Sequence, residues 1–378
     1  MSKNNQALVE NPDYKMDLWD GFLSLIKKMV TSGELRHHFL PVTAVFGDLM
    51  PGKRPKNTAA LNCVLTFPDQ SQSLKMASPV VLAAGSVKYA EVIPHFAKLG
   101  FGALSVGTTT RFERTGNPQR PRVALIEADR MMHNSMGLNN PGVDKIAQKV
   151  KASLDKAHAR NLCVGISVSE TPGLQTTEER LEDLKYTFTE SYKAADYIEV
   201  NLSCPNTGHD RLDAQWDFLT QVIEQIARVR ESLIGTFGKK AILAKLSPDL
   251  SEEILVQTLD LLKINGWSGV VLFNTWPGTK RSALPLTRQE LPAMRADGDV
   301  GGLSGRLMYP HMKNSVEKYS KIYPELVFWG SGGVDCGQKV SQILERGASA
   351  AQIYSVLGFR WNPVWKILAE YEECRSNS

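Results

Sequence analysis

From residue 80 onward the sequence alternates short β-branched or apolar runs with stretches whose apolar residues recur at helical spacing. That alternation is the pattern of a parallel sheet wrapped by helices. Eight runs can be drawn, at 80–84, 103–107, 163–168, 197–203, 241–247, 269–275, 326–331 and 350–355. Helical stretches fall between them at 90–99, 145–159, 179–194, 216–233, 252–264, 309–322 and 338–345. Eight such units predict an α/β chain closed into a (β/α)8 (TIM) barrel, although an open doubly wound sheet satisfies the same count. The polar residues favour closure. Lys88, Thr108, Asn201 with Cys204, Lys245, Asn274 with Thr275, the GSGG of 330–333, and Tyr354 with Ser355 each follow a run. In a barrel those loops converge on one face, where barrel active sites lie.

At 378 residues the chain exceeds the roughly 250 of a bare barrel, so an appendage is expected. Residues 76–378 are assigned to the barrel and 1–75 to an N-terminal helical extension. Within the extension, 17–30 places Leu18, Phe22, Leu25, Ile26 and Met29 on one side of a helix, with Lys27 and Lys28 elsewhere. Such a face packs on the barrel as a cap, or docks on a membrane surface and guards an apolar entrance across residues 15–50. The N-terminus lacks the basic-then-apolar order of a signal peptide, and no apolar run reaches the ~18 residues of a membrane span. The expected location is the cytoplasmic side, free or peripheral to a membrane.

A net charge of +4, with Lys and Arg scattered among Asp and Glu, argues against nucleic acid as a partner. Five cysteines, Cys63, Cys163, Cys204, Cys336 and Cys374, are odd in number and form no CxxC pair. Neither a disulfide framework nor a zinc site is expected, and the metal inventory is none.

Two segments carry chemistry. GSGGV at 330–334, with QIYS at 352–355, matches the phosphate site that barrels build after strands seven and eight. Glycines there let backbone N–H groups approach a phosphate closely. EVNLSCPNTG at 199–208 sets a thiol, Cys204, between two amides at a strand end, which packing alone explains poorly. A partly ionised Cys204 would serve as a general base. His133 and His209 are single loop histidines and read as structural.

In order along the chain, VLAAGSVKYAE, GTTTR, GNPQRPR, NSMGLNN, NLSCPNT, AKLSPDL, FNT, GGLSGR, GSGGV and QIYS resemble the class 2, quinone-linked dihydroorotate dehydrogenases over residues 78–360. The resemblance implies FMN as cofactor, dihydroorotate or a related dihydropyrimidine as substrate, a role in pyrimidine biosynthesis and a quinone as electron acceptor. It puts Cys204 at the catalytic base, which would take a proton from C5 while C6 delivers hydride to the flavin. Lys88, the Asn134–Ser135–Met136–Gly137–Leu138 segment, Asn201, Asn206, Asn274 and Thr275 fall at substrate-binding positions. Amide side chains suit a pyrimidine because each offers a donor and an acceptor. Ala84, Gly85, Lys88, Thr108, Ser167, Asn201, Lys245, Gly302, Gly333, Tyr354 and Ser355 fall at flavin-contacting positions, and Lys245 would stabilise negative charge on the reduced ring.

The sequence also departs from class 2. Cys204 is the base of the class 1 enzymes, where class 2 has serine. Ser167 stands where an asparagine contacts the flavin, Phe273 where a threonine precedes the substrate asparagine, and Leu125 where an arginine lies near the quinone, with Arg122 three residues earlier. Three rivals therefore stay open at this stage: an FMN oxidoreductase of the same barrel family with another substrate or acceptor, a Schiff-base lyase using Lys245, and a non-catalytic membrane-associated scaffold.

Overall fold

The computed structural model describes residues 54–90, 92–118, 121–202, 212–287, 301–360 and 363–376. Fourteen strands are present among them, numbered in chain order: β1 (Cys63–Leu65), β2 (Leu74–Met76), β3 (Val80–Val87), β4 (Ala103–Thr109), β5 (Val123–Ile126), β6 (Met131–Asn134), β7 (Cys163–Val168), β8 (Tyr197–Asn201), β9 (Ala241–Leu246), β10 (Gly269–Leu272), β11 (Trp276–Pro277), β12 (Gly302–Gly305), β13 (Val327–Ser331) and β14 (Ala348–Ile353). Eight of them close into a parallel barrel in the order β10-β13-β14-β3-β4-β7-β8-β9. They are the eight runs read from the sequence, and the open-sheet alternative is set aside.

The strands form because they are buried on both faces, as the parallel sheet requires: every residue of β7, β9 and β13 is buried. The helices between them start on local chemistry. Thr176 accepts from the backbone N–H of Glu179, whose carboxylate returns to the Thr176 N–H, so Thr177–Ala194 opens on a capping box. The Ser251 hydroxyl accepts from Ile254 N–H at the head of Glu252–Ile264.

Two features lie beyond the eightfold repeat. A four-stranded antiparallel sheet, β11-β12-β6-β5, assembles from the loops after the second and sixth barrel strands. A hairpin, β1 with β2, closes the opposite end: Leu65, Phe67, Leu74 and Met76 pack against Val81, Cys163, Tyr197, Leu243 and Trp329 of the barrel strands. Its loop is clamped by Asp69, whose Oδ2 accepts from Arg230 Nη2 at 2.5 Å and from the Ser268 hydroxyl at 2.9 Å.

Most of the expected N-terminal helical extension, including segment 15–50 with its two readings as a cap or a membrane-docking entrance, lies outside the described residues. Its described part, 54–75, is not helical beyond the single 3-10 turn Thr58–Leu61, and the hairpin occupies the rest. A period-2 pattern of three-residue strands is too short to be seen against the helical reading. Among the described residues no helix is long and apolar enough to cross a membrane.

Candidate active site

Above the apolar floor the barrel interior turns polar. Parallel register sets Asn201 beside Lys245 and Ser167 beside Glu199. Lys245 Nζ donates to Glu199 Oε1 and to Gln352 Oε1, each at 3.2 Å. The other carboxylate oxygen of Glu199 accepts from Ser105 Oγ at 3.0 Å and from Gln352 Nε2 at 2.7 Å. The Ser105 and Tyr197 hydroxyls lie 3.0 Å apart. Burial, then the charge of Glu199, pushes the Tyr197 phenol well above its usual range. Space for that ring comes from Gly165 on the neighbouring strand, where any Cβ would sit 2.3 Å from it.

At the strand ends the sequence-named residues come together through a chain of contacts. Asn274 Nδ2 donates to Asn201 Oδ1 at 3.3 Å, joining the ends of β10 and β8. Thr275 is packed against Gly302, whose Cβ would approach the Thr275 hydroxyl to 2.5 Å. Gly302 in turn pairs with Asn134 in the antiparallel sheet, and Asn134 Nδ2 donates to its carbonyl at 3.2 Å. From Asn134 the chain runs through Ser135, Met136, Gly137 and Leu138, the last two with positive φ. Asn117 holds this segment, donating from Nδ2 to the Ser135 hydroxyl at 2.8 Å and from its backbone N–H to the Met136 carbonyl at 3.2 Å.

The segment leads to Lys88, whose Nζ donates to Asn139 Oδ1 at 2.6 Å. Burial, and then the charge of Arg122, lowers the Lys88 ammonium to about 7. Arg122 is fixed nearby by hydrogen bonds to the carbonyls of Asn117 at 2.6 Å and Thr115 at 2.7 Å. Among the described residues no carboxylate lies in bonding reach of Lys88, and a buried lysine so placed is a site short of one anion.

The glycine-rich side is equally tight. Gly85, half-buried beside Ala84, lies under the Tyr354 ring, where a Cβ would stand at 3.3 Å. Gly333 has φ +75°, and a Cβ there would meet the Gly305 carbonyl at 2.7 Å, so only backbone fits. Ser355 is the residue before the short helix Val356–Phe359, and its hydroxyl makes no capping bond there. Thr108 and Ser167 share a hydrogen bond of 2.9 Å between their hydroxyls. Cys204 and Asn206 lie outside the described residues, which break off at residue 202, just after β8 and Asn201.

The departures from class 2 also find their places. The Phe273 ring stacks on His311 of the outer helix Tyr309–Ile322, centroids 5.0 Å apart, so it serves the helix layer while Asn274 reaches the amide pair. Leu125, half-buried on β5, packs over Gly358. His133 is buried on β6 rather than in a loop. Sequence reading missed the interior set of Ser105, Glu199 and Gln352. Its trace was a lone carboxylate in the otherwise uncharged run YIEVN, two residues before Asn201 and therefore on the same face.

Comparison with known proteins bears on this arrangement. A family model described as dihydroorotate dehydrogenase matches residues 69–372. A dihydroorotate dehydrogenase (quinone) of Pseudomonas putida is 33% identical over 295 residues, covering 77% of this chain and 81% of the relative. One from Actinobacillus pleuropneumoniae is 29% identical over 356 residues, covering 93% and 99%. Among solved structures, that of DHODH from Eimeria tenella in complex with ferulenol superposes with a TM-score of 0.73 at 25% identity, covering 91% of each chain. The ligand-free form superposes at 0.72 and 27% identity, covering 90% of this chain and 94% of that one.

Proposed function

The chain belongs to the dihydroorotate dehydrogenase family, closest to its class 2, and from that premise we propose that it oxidises dihydroorotate to orotate on bound FMN and passes the electrons to a quinone. The observation that carries the proposal is the convergence, at one end of a closed barrel, of an amide pair, a buried cation short of an anion and a glycine-lined cradle.

Each part fits the chemistry. Asn201, Asn274 and Asn134, with Asn206 and Thr275, would bind the imide edges of the pyrimidine ring. Lys88 would take the substrate carboxylate, which supplies the anion its buried site lacks. Cys204 would remove the C5 proton. The backbones of Gly302 and Gly333, with Ala84, Gly85, Thr108, Ser167, Tyr354 and Ser355, line the space that FMN would occupy, and they leave no room for side chains where backbone approaches closely. Lys245 would meet the ring with a positive charge. FMN, when bound, supplies the acceptor for the hydride leaving C6.

A Schiff-base role for Lys245 is disfavoured physically. It needs a free, accessible amine, whereas Lys245 Nζ is buried and already engaged by Glu199 and Gln352, each at 3.2 Å. Within the N-terminal extension, residues 15–50 are proposed as the segment that brings a quinone, and with it a membrane surface, to the barrel.

Anaerobic mixing with dihydroorotate tests the proposal. The yellow absorbance of the flavin should bleach, and a quinone should restore it faster than fumarate or NAD. A colourless protein, or a flavin untouched by dihydroorotate, would overturn it.

A further inference from the structure

Glu199 is wholly buried in the barrel, yet the proposed chemistry gives it nothing to do. Layers inside such barrels are dominated by branched apolar side chains, and a carboxylate taken out of water costs several kcal/mol unless it is paired. Here both oxygens are satisfied, one by Lys245 and the other by Ser105 and Gln352. Gln352 also accepts from Lys245, so one amide bridges the two charges.

We infer that Glu199 is a positioning residue: with Ser105 and Gln352 it holds Lys245 as a charged, immobile ammonium at the place where the flavin is to sit. This rests on the reading that Lys245 faces bound FMN. The two buried lysines of the site make the contrast. Among the described residues Lys88 has no carboxylate in bonding reach; it stands beside Arg122 and is driven to about 7, which leaves it ready for an incoming anion. Lys245 is as deeply buried but already matched by Glu199, so it does not compete for the substrate carboxylate. Among the described residues, the other titratable group of this layer is Tyr197, reached through Ser105 and kept neutral by burial and by the charge of Glu199.

The test uses the flavin-loaded protein and reads the midpoint potential of bound FMN from about pH 6 to about pH 9, a range that spans the neutral region where an unmatched buried lysine titrates. In Glu199→Gln the lysine loses its counter-charge and should titrate as Lys88 does. A new break near neutrality is expected, absent from wild type, with a potential below wild type on its alkaline side. Glu199→Asp, which keeps the charge, should follow the wild-type profile. A Glu199→Gln profile parallel to wild type, even with weaker FMN binding or lower Tm, would make Glu199 a packing residue and overturn the inference. So would a break in both variants. If Glu199→Gln does not fold, Gln352→Leu replaces it, since it takes one hydrogen bond from each member of the pair. The break should then enter at the alkaline end, and its absence overturns the inference. Wild-type protein that takes up no FMN at all overturns the reading beneath as well.

Discussion

Lys88 Nζ and Asn139 Oδ1 stand 2.6 Å apart, and Asn139 is the only hydrogen-bond partner of Lys88 among the described residues. An amide oxygen orients an ammonium without compensating its charge, which is why burial and Arg122 can lower the group to about 7.

The sign of the consequence follows. The ammonium of the free protein is lost as pH rises past about 7, and a bound carboxylate restores it. Binding of orotate or dihydroorotate should therefore take up a proton above that pH and none well below it. Calorimetry in buffers of different ionisation heat measures this, and an uptake of zero on the alkaline side would remove Lys88 from the carboxylate site. Lys88→Met should weaken substrate binding about 10- to 100-fold, the worth of a charge-assisted hydrogen bond.

Cys204→Ala should leave FMN bound and slow flavin reduction by about 10²–10⁴, the usual contribution of a general base. Reduction at wild-type speed in a stopped-flow experiment would place the base elsewhere.

At Gly333 the backbone is left-handed and a Cβ would strike the Gly305 carbonyl. Gly333→Asp adds that strain and a carboxylate to the proposed phosphate cradle, so the variant should purify largely colourless. Full flavin occupancy, read from the visible spectrum, would move the phosphate site away from this loop.

Asp69→Ala strands the buried Arg230 guanidinium and should cost about 3–5 kcal/mol, visible as a lowered Tm. Burial alone would raise the Asp69 carboxyl, but hydrogen bonds from Arg230 and Ser71 and the charge of Arg230 outweigh it and hold it below its usual value. Its contribution is therefore present above the unfolded value near 4 and lost as pH falls through the folded one. Acid titration of Tm should be flatter in the variant. An equal slope would show that Asp69 does not carry the acid sensitivity.

A chain starting near residue 52 should keep flavin reduction by substrate, since the proposed chemistry lies in the barrel. Reoxidation by a long-tailed quinone and binding to liposomes should fall, with a soluble acceptor as control. Equal loss of both half-reactions would make the segment a structural cap.

The barrel was legible because buried strands and amphipathic helices write different periods, and all eight strand runs carry theirs. Candidate site residues could be named where motif order marked them, as with Asn274, which the fold joins to Asn201, and Gly333, whose backbone packs against the Gly305 carbonyl. The antiparallel sheet was not: β11 is two residues long, and β5, β6 and β12 are four each, below the length at which alternation is distinguishable. Glu199 was hidden for another reason. Its meaning depends on Lys245, Ser105 and Gln352, partners 46, 94 and 153 residues away in the chain, and no local pattern records them.

The hairpin at the closed end makes the barrel a cup with a sewn-in base. The backbone N–H groups of Lys56 and Asn57 both donate, at 2.7 Å, to the carboxylate of Glu372 in the last helix, Pro363–Ser376. The stretch from there to Met76 is thus stitched to the rest by hydrogen bonds at its start, the Asp69–Arg230 clamp at its middle and apolar packing at its end. The eightfold repeat begins at Val80, but a chain severed just before it would be a vessel without a bottom, with Tyr197 and Trp329 open to water from below.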